Sequence, residues 1–264
     1  MTATAATLLL ISLFLGSCQS SETEGRDYYQ LKIYHLSESD PERRSEQEKT
    51  LDQYLADAFI PAMHRAGIGS IGVFKPLESL MEELPMVMIL VPYSSLKQFE
   101  EMPRVLLADQ QYREDGAAYL EASHDNPPYQ RIESVLLRAF ENTPRIQLPD
   151  HPTPRNQRVY ELRSYEGATE ALYRRKVEMF NEGESALFRR LGFQPVFFAE
   201  VLSSGRMPHL MYMTTFSDTV SHQEHWDRFR NDPEWLDMKD LERYQNTVSH
   251  IDRYLLRPAP YSDY

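Results

Sequence analysis

Two short runs carry the groups best suited to chemistry. Tyr29-Gln30-Leu31-Lys32-Ile33-Tyr34 is echoed by Tyr160-Glu161-Leu162-Arg163-Ser164-Tyr165. Both alternate like strands, so successive side chains face opposite ways. Lys32 and Tyr34, with Glu161, Arg163 and Tyr165, share one face of cations, phenols and a carboxylate. On that face Arg163 can clamp a carboxylate or enolate, Tyr165 can donate a hydrogen bond and Glu161 can accept a proton. These five are the candidate ligand-binding residues; no residue is assigned as catalytic. The same side chains also suit a structural part. Glu161 and Arg163, two apart on one strand, can pair with each other or with Asp252 across a sheet, because buried polar groups need partners whatever the function.

Other chemistry is less well supported. His222 and His225 lie three apart on an expected helix, with His209 on the preceding strand, and three imidazoles can hold a transition metal. Their neighbours Gln223, Glu224, Asp227 and Arg228 instead mark a solvated helix face, so no metal site is expected. Met86, Met88, Met211 and Met213 occupy matching strands and read as core packing. Trp226 and Trp235 read as anchors of helices on the sheet. There is no Gly-x-Ser-x-Gly elbow and no phosphate-binding glycine loop after a strand, which disfavours acyl transfer and nucleotide chemistry. No cofactor is expected.

The elements that position these residues come in two sets. Strands are expected at 28–34, 68–74, 86–91 and 132–140. A helix carries the apolar spacing of Leu51, Leu55, Ala58 and Ala62, with Pro61 expected to kink or end it. A second helix starts near Ser95 and Gln98 and is interrupted near Pro103. The second set repeats the order: strands at 159–165, 195–202, 210–216 and 251–256, one long helix through Leu172, Phe180 and Leu187, and another from Ser221 that restarts at Asp232-Pro233. Residues 258–264 read as a short tail. Arg65-Ala66-Gly67-Ile68 returns as Arg190-Leu191-Gly192-Phe193, and Val135-Leu136-Leu137-Arg138 as Tyr254-Leu255-Leu256-Arg257. Echoes in the same order and at similar intervals mark a repeated fold unit. Strand, helix, strand, strand, helix, strand is the ferredoxin-like arrangement. The expected division is a first domain at 28–143, a proline-rich linker at 144–157 and a second domain at 158–258.

The chain has 264 residues, 41% hydrophobic and 26% charged, with a formal charge of −12. That balance is globular, and the lack of a basic run excludes a nucleic-acid partner. The single cysteine, Cys18, rules out an internal disulfide. Residues 7–15 are apolar, uncharged and too short to span a bilayer as a helix. They lead into Leu15-Gly16-Ser17-Cys18, which resembles a bacterial lipoprotein signal, although no Lys or Arg precedes the apolar run. The resemblance implies removal of residues 1–17, lipid on Cys18 and a flexible tether at 18–27. It places the protein in the bacterial cell envelope, facing the periplasm or the exterior and held to a membrane by the N-terminal lipid only.

Val159-Tyr160-Glu161-Leu162-Arg163-Ser164-Tyr165-Glu166 and Phe229-Arg230-Asn231-Asp232-Pro233-Glu234-Trp235 resemble the NIPSNAP family. The first copy has Asp109-Gln110-Gln111-Tyr112 in place of Asp-Pro-Glu-Trp and is the more divergent. The family is similar to the dimeric α+β barrels, which implies an α+β fold of two tandem ferredoxin-like (βαββαβ) domains packed sheet to sheet within one chain. In that arrangement the polar strand face points between the sheets, and the face of Tyr29, Leu31, Ile33, Tyr160 and Leu162 packs on the helices. The functional expectation is a membrane-anchored protein, monomer or homodimer, that binds a small molecule or protein partner without catalysis. The alternative is a cofactor-independent oxygenase or isomerase using a polar pocket between the sheets.

Overall fold

The computed structural model describes residues 25–77 and 85–264. Cys18, the signal and residues 18–24 of the tether lie outside the described residues. Among the described residues no helix is long and apolar enough to cross a membrane.

Eight antiparallel strands close into one barrel. They are β1 (Tyr28–His35), β2 (Gly72–Pro76), β3 (Met86–Tyr93), β4 (Arg131–Ala139), β5 (Val159–Glu166), β6 (Gln194–Ser203), β7 (His209–Phe216) and β8 (His250–Pro258). The order around the barrel is β1-β3-β2-β8-β5-β7-β6-β4, closing back on β1. Each half contributes four consecutive strands, β4-β1-β3-β2 and β8-β5-β7-β6. The halves join edge to edge: Lys75 stands opposite Arg257 where β2 meets β8, and Arg138 opposite Glu200 where β4 meets β6. Closure leaves no strand edge exposed. The halves thus meet through backbone pairing, beyond the face-to-face packing expected.

The interior of the barrel reverses the expected faces. Tyr29, Leu31, Ile33, Phe74, Met88, Leu90, Leu137, Tyr160, Leu162, Phe197, Met211, Met213 and Leu256 pack together there. An eight-stranded barrel has room for side chains and little else, so its inward positions take the apolar set. Alternation then sends Lys32, Tyr34, Glu161, Arg163 and Tyr165 outward, beneath the helices. The five candidate residues therefore do not line a pocket between the sheets; the cavity of about 550 Å³ at the end of the barrel is lined instead by Ile33, Val135 and Met211 with Ser164, His209 and Asp252.

The helices cover the outside in two groups, each with its own aromatic-rich core. Over the first half lie α1 (Pro41–Gln53), a π-helical stretch (Tyr54–Phe59), α2 (Ile60–Arg65), α3 (Leu96–Ala108), α4 (Gln110–Asp115) and α5 (Ala117–Leu120). Over the second lie α6 (Glu170–Met179), a second π-helical stretch (Phe180–Glu184), α7 (Ser185–Arg190), α8 (Thr219–Asn231) and α9 (Pro233–Lys239). The helix expected to kink or end at Pro61 does not end there: it passes through the π-helical stretch and runs on to Arg65. The Ile60 N–H reaches back five residues to the Leu55 carbonyl, and this wide turn lets the chain pass the proline. Pro103 likewise sits inside α3 without breaking it. The cap of α8 is Asp218, which accepts from the Ser221 N–H at 2.7 Å, and not Ser221 itself. Both long helices end on a left-handed glycine, Gly67 at φ +80° and Gly192 at φ +85°. In each the next residue bonds back five positions, Ile68 to Met63 and Phe193 to Phe188.

The expected tail is part of the barrel. Ala259 N donates to Val73 O at 2.9 Å, and Val73 N donates to Ser262 Oγ at 3.0 Å. The Tyr264 ring enters the interior cluster, 5.4 Å from Phe74 and 6.1 Å from Tyr160, and is 1% exposed. A Cβ on Gly72 would stand 2.3 Å from the Phe74 ring and 3.2 Å from Tyr264, so glycine permits this approach. Replacing a buried ring of this size with Ala removes its contacts and leaves a cavity. Tyr264→Ala should therefore destabilise the fold by about 3–5 kcal/mol. Urea unfolding followed by circular dichroism would reveal it; a loss under 1 kcal/mol would show that the tail does not hold the barrel.

Candidate functional site

The outward face of β5 is the floor of a cavity of about 630 Å³ beneath α6, α8 and α9. Arg163 and Tyr165 lie on the floor; Met179, Trp226, Phe229 and Trp235 form apolar walls; Arg230, Lys239 and Asp240 contribute charge to the lining. The two tryptophans of the chain therefore both face this space.

Behind the floor, Glu161 organises the polar groups. It is 1% exposed and accepts from three donors: Arg163 Nε at 2.8 Å, His222 Nε2 at 2.9 Å, and the Trp226 indole N–H. Burial pushes its carboxyl up, but the His222 hydrogen bond and the Arg163 charge outweigh that, and the net shift is downward. The Arg163 guanidinium lies 3.7 Å from the centroid of the Trp226 ring, a close cation–π contact. Its Nη1 donates to the Tyr165 hydroxyl at 3.2 Å, and the Tyr165 and Tyr212 hydroxyls are 2.7 Å apart. Burial drives the Tyr212 phenol well above its ordinary value, so it stays protonated.

A second ion pair is sunk into the cavity wall. Lys176 Nζ donates to Glu184 at 2.6 Å, with side chains 6% and 2% exposed. They stand eight apart on a helix, where ordinary winding would set them about 12 Å apart along the axis and roughly 80° apart around it. The π-helical stretch Phe180–Glu184 widens the winding and brings them onto one face. Burial pushes the Glu184 carboxyl up despite its lysine partner. Removing one member of such a pair typically costs about 3–5 kcal/mol, because the other charge is then buried alone.

The structure therefore brings Glu161, Arg163 and Tyr165 together and leaves Lys32 and Tyr34 beneath the other helix group. Tyr34 is a core residue, 2% exposed, accepting from the Tyr119 hydroxyl at 3.2 Å. Lys32 lines a separate cavity. Of the two pairings open to Glu161, the one with Arg163 is observed; Asp252 pairs with Arg206 and His250. The three histidines are apart in role: His222 binds Glu161, His225 Nδ1 meets the Ser221 carbonyl at 2.6 Å, and His209 lies between Ser164 and Ser204. Among the described residues Glu166, His250 and Asp252 could offer metal-ligand atoms, but Arg206 already bridges Glu166 and Asp252.

Sequence reasoning missed Lys176, Glu184, Phe229 and Tyr212. The first two lack ordinary helical spacing, and the last two are indistinguishable from core aromatics. The downward shift of Glu161 sets a sign. A carboxyl with a lower value folded than unfolded stabilises the fold above the ordinary glutamate value of 4.5 and loses that contribution as the pH falls through the folded value. Wild-type stability should therefore drop over that acid window more steeply than that of Glu161→Gln. Parallel slopes in urea titrations across the window would mean that Glu161 is not held ionised by its partners.

Residues 160–263 match the NIPSNAP family model. No curated protein matches the chain. Among solved structures, a "putative monooxygenase" of Lactobacillus acidophilus superposes with a TM-score of 0.59 at 8% identity, over 88% of this chain and 94% of that one. A "putative monooxygenase" of Fusobacterium nucleatum gives 0.56 at 8% identity, over 89% and 93%. An "anthrone oxidase-like protein" gives 0.52 at 11% identity, over 90% and 93%. At such identities the likeness is one of fold. The similarity to the NIPSNAP family is thus shown for residues 160–263, the second half of the barrel.

Proposed function

We propose that the cavity over β5 binds a small aromatic molecule bearing a hydrogen-bonding group and does not transform it. The observation that supports this reading is that each ionisable group on the floor is already matched: Glu161 with Arg163 and His222, Lys176 with Glu184, Tyr165 with Tyr212. A general base needs a free lone pair within reach of the substrate proton, and here Glu161 is buried and already accepts from three protein donors. What remains open to a ligand is the aromatic wall and the edges of Arg163 and Tyr165. The two halves are read as tandem ferredoxin-like units, since β4-β1-β3-β2 and β8-β5-β7-β6 are the same strand permutation.

A second reading, cofactor-independent oxygenation, has one feature in its favour. The Arg163–Tyr165–Tyr212 chain of donors ends at the cavity and would stabilise an oxyanion there. The neighbours' names suggest the probe, the hydroxylated anthrone dithranol. Dithranol should quench the fluorescence of Trp226 and Trp235 saturably while an oxygen electrode registers no uptake above buffer. Oxygen uptake that Tyr165→Phe abolishes would overturn binding without catalysis in favour of the oxygenase.

The membrane anchor is also proposed, on the strength of Leu15-Gly16-Ser17-Cys18. Several acyl chains at about 0.8 kcal/mol per buried methylene would hold the protein firmly. Cys18→Ala should shift the protein from the membrane fraction to the soluble fraction with its melting temperature unchanged; retention in the membrane after a high-salt wash would remove the anchor.

A further inference from the structure

The second half pairs its strand cation with a carboxylate; the first half does not. Arg163 has Glu161 two residues before it and, in the wall above, Glu184 paired with Lys176. At the equivalent places the first half has lost both acids. Gln30 stands two residues before Lys32, as Glu161 stands before Arg163. Phe59 stands eight residues before Gly67, as Glu184 stands eight before Gly192, and Leu51 takes the place of Lys176 by the same count. Both pairs flank a π-helical stretch of the first long helix, so the correspondence is structural as well as numerical.

The consequence is a cation without a countercharge. Among the described residues no carboxylate makes an ion pair with Lys32. Its Nζ lies over the Phe59 ring, 5.4 Å from the centroid. Gln30 is turned to other partners, donating to Ser134 Oγ at 2.8 Å and accepting from the Tyr93 hydroxyl at 3.4 Å. Burial alone lowers the Lys32 ammonium below the ordinary lysine value, with no opposing charge to restore it. The half-buried ammonium opens on a cavity of about 410 Å³ walled by Tyr54, Phe59, Tyr93, Phe99 and Met102. Glu100, the acidic residue in that lining, is solvent-exposed and makes no ion pair with Lys32.

We infer that the cavity over β1 is a second ligand site, which takes an aromatic monocarboxylate: the carboxylate binds Lys32 and supplies the missing charge, and the ring fills the aromatic wall. An ion pair in a largely dehydrated site is worth more than one at the surface, and the cost of dehydrating Lys32 has already been met in folding. A neutral isostere would lose that attraction while keeping the ring contacts.

The test uses the full chain and isothermal titration with 2-naphthoate. Three results are expected. 2-Naphthoate binds at least tenfold more tightly than the neutral 2-naphthamide. Lys32→Met reduces the affinity for 2-naphthoate at least tenfold. Gln30→Glu, which installs the carboxylate of the second half, does the same while leaving the lysine in place. Both variants should melt no lower than wild type, since each removes the unpaired, half-buried charge or pairs it. The site on β5 is told apart by its tryptophans: binding at β1 leaves the fluorescence of Trp226 and Trp235 unchanged, so this inference can fail while the reading of the other cavity stands, and the reverse. Equal affinity for acid and amide, or undiminished binding in either variant with a native melt, would overturn the inference.

Discussion

Closure of the barrel constrains everything else. Eight strands hydrogen-bonded in a ring enclose a narrow interior that side chains can fill. Tyr29, Phe74, Tyr160, Phe197 and Tyr264 fill that space, and because strand side chains alternate, each inward residue dictates an outward neighbour. Lys32 and Arg163 are outside because Leu31 and Leu162 are inside. The outer face would be open to water on a bare barrel. The helices cover it, so each polar strand residue must find a partner in a helix or line a cavity beneath one. Glu161 takes the first course, reaching His222 and Trp226 on α8; Lys32 takes the second.

Much of this architecture was legible in the sequence, and the part that was not has a definite cause. Alternation in 28–34 and 159–165 gave the strands, and the paired Gly67 and Gly192 gave the helix ends. Alternation separates two faces but does not say which is inside. Neither face of β1 is open to water here: Tyr29, Leu31 and Ile33 are in the barrel core, and on the other face Tyr34 is in the helix core and Tyr28, Gln30 and Lys32 are half-buried. Composition alone therefore could not choose, and the expectation of a polar interior chose wrongly. Grouping Glu161, Arg163 and Tyr165 succeeded because it rested only on a spacing of two along one strand. Adding Lys32 and Tyr34 to the same pocket failed because it depended on the inside–outside choice. Tyr264 was unreadable for a different reason: six residues after the last strand carry no periodicity, and only the end of the barrel gives them a place.

The two halves share a backbone plan and differ in how they handle charge. In the second, Glu161 and Glu184 neutralise Arg163 and Lys176 in surroundings that would otherwise penalise all four. In the first, the corresponding Gln30, Phe59 and Leu51 are uncharged, and a phenol cluster takes over the packing: the Tyr54 and Tyr119 rings stack at 3.8 Å, and the Tyr54 and Tyr112 hydroxyls are 2.8 Å apart. Burial raises the Tyr34 phenol to about 12, so that cluster is neutral near pH 7 and cannot supply Lys32 with a counterion.

These two solutions imply different kinds of binding. A floor whose donors and acceptors are matched to one another keeps its geometry empty or full. Arg163 is gripped between Glu161 and the Trp226 ring, so a ligand in that cavity gains ring contacts and shape complementarity without having to order the site. Its selectivity then comes from the outline of the aromatic wall, because a new polar partner would have to break an existing bond to make its own. The cavity over β1 works the other way. Its aromatic wall accepts many outlines, but its single unpaired ammonium rewards one feature, a negative charge at the depth of Lys32. Charge there discriminates between ligands that shape would not, and the difference between the sites comes down to Gln30 standing where its counterpart is Glu161.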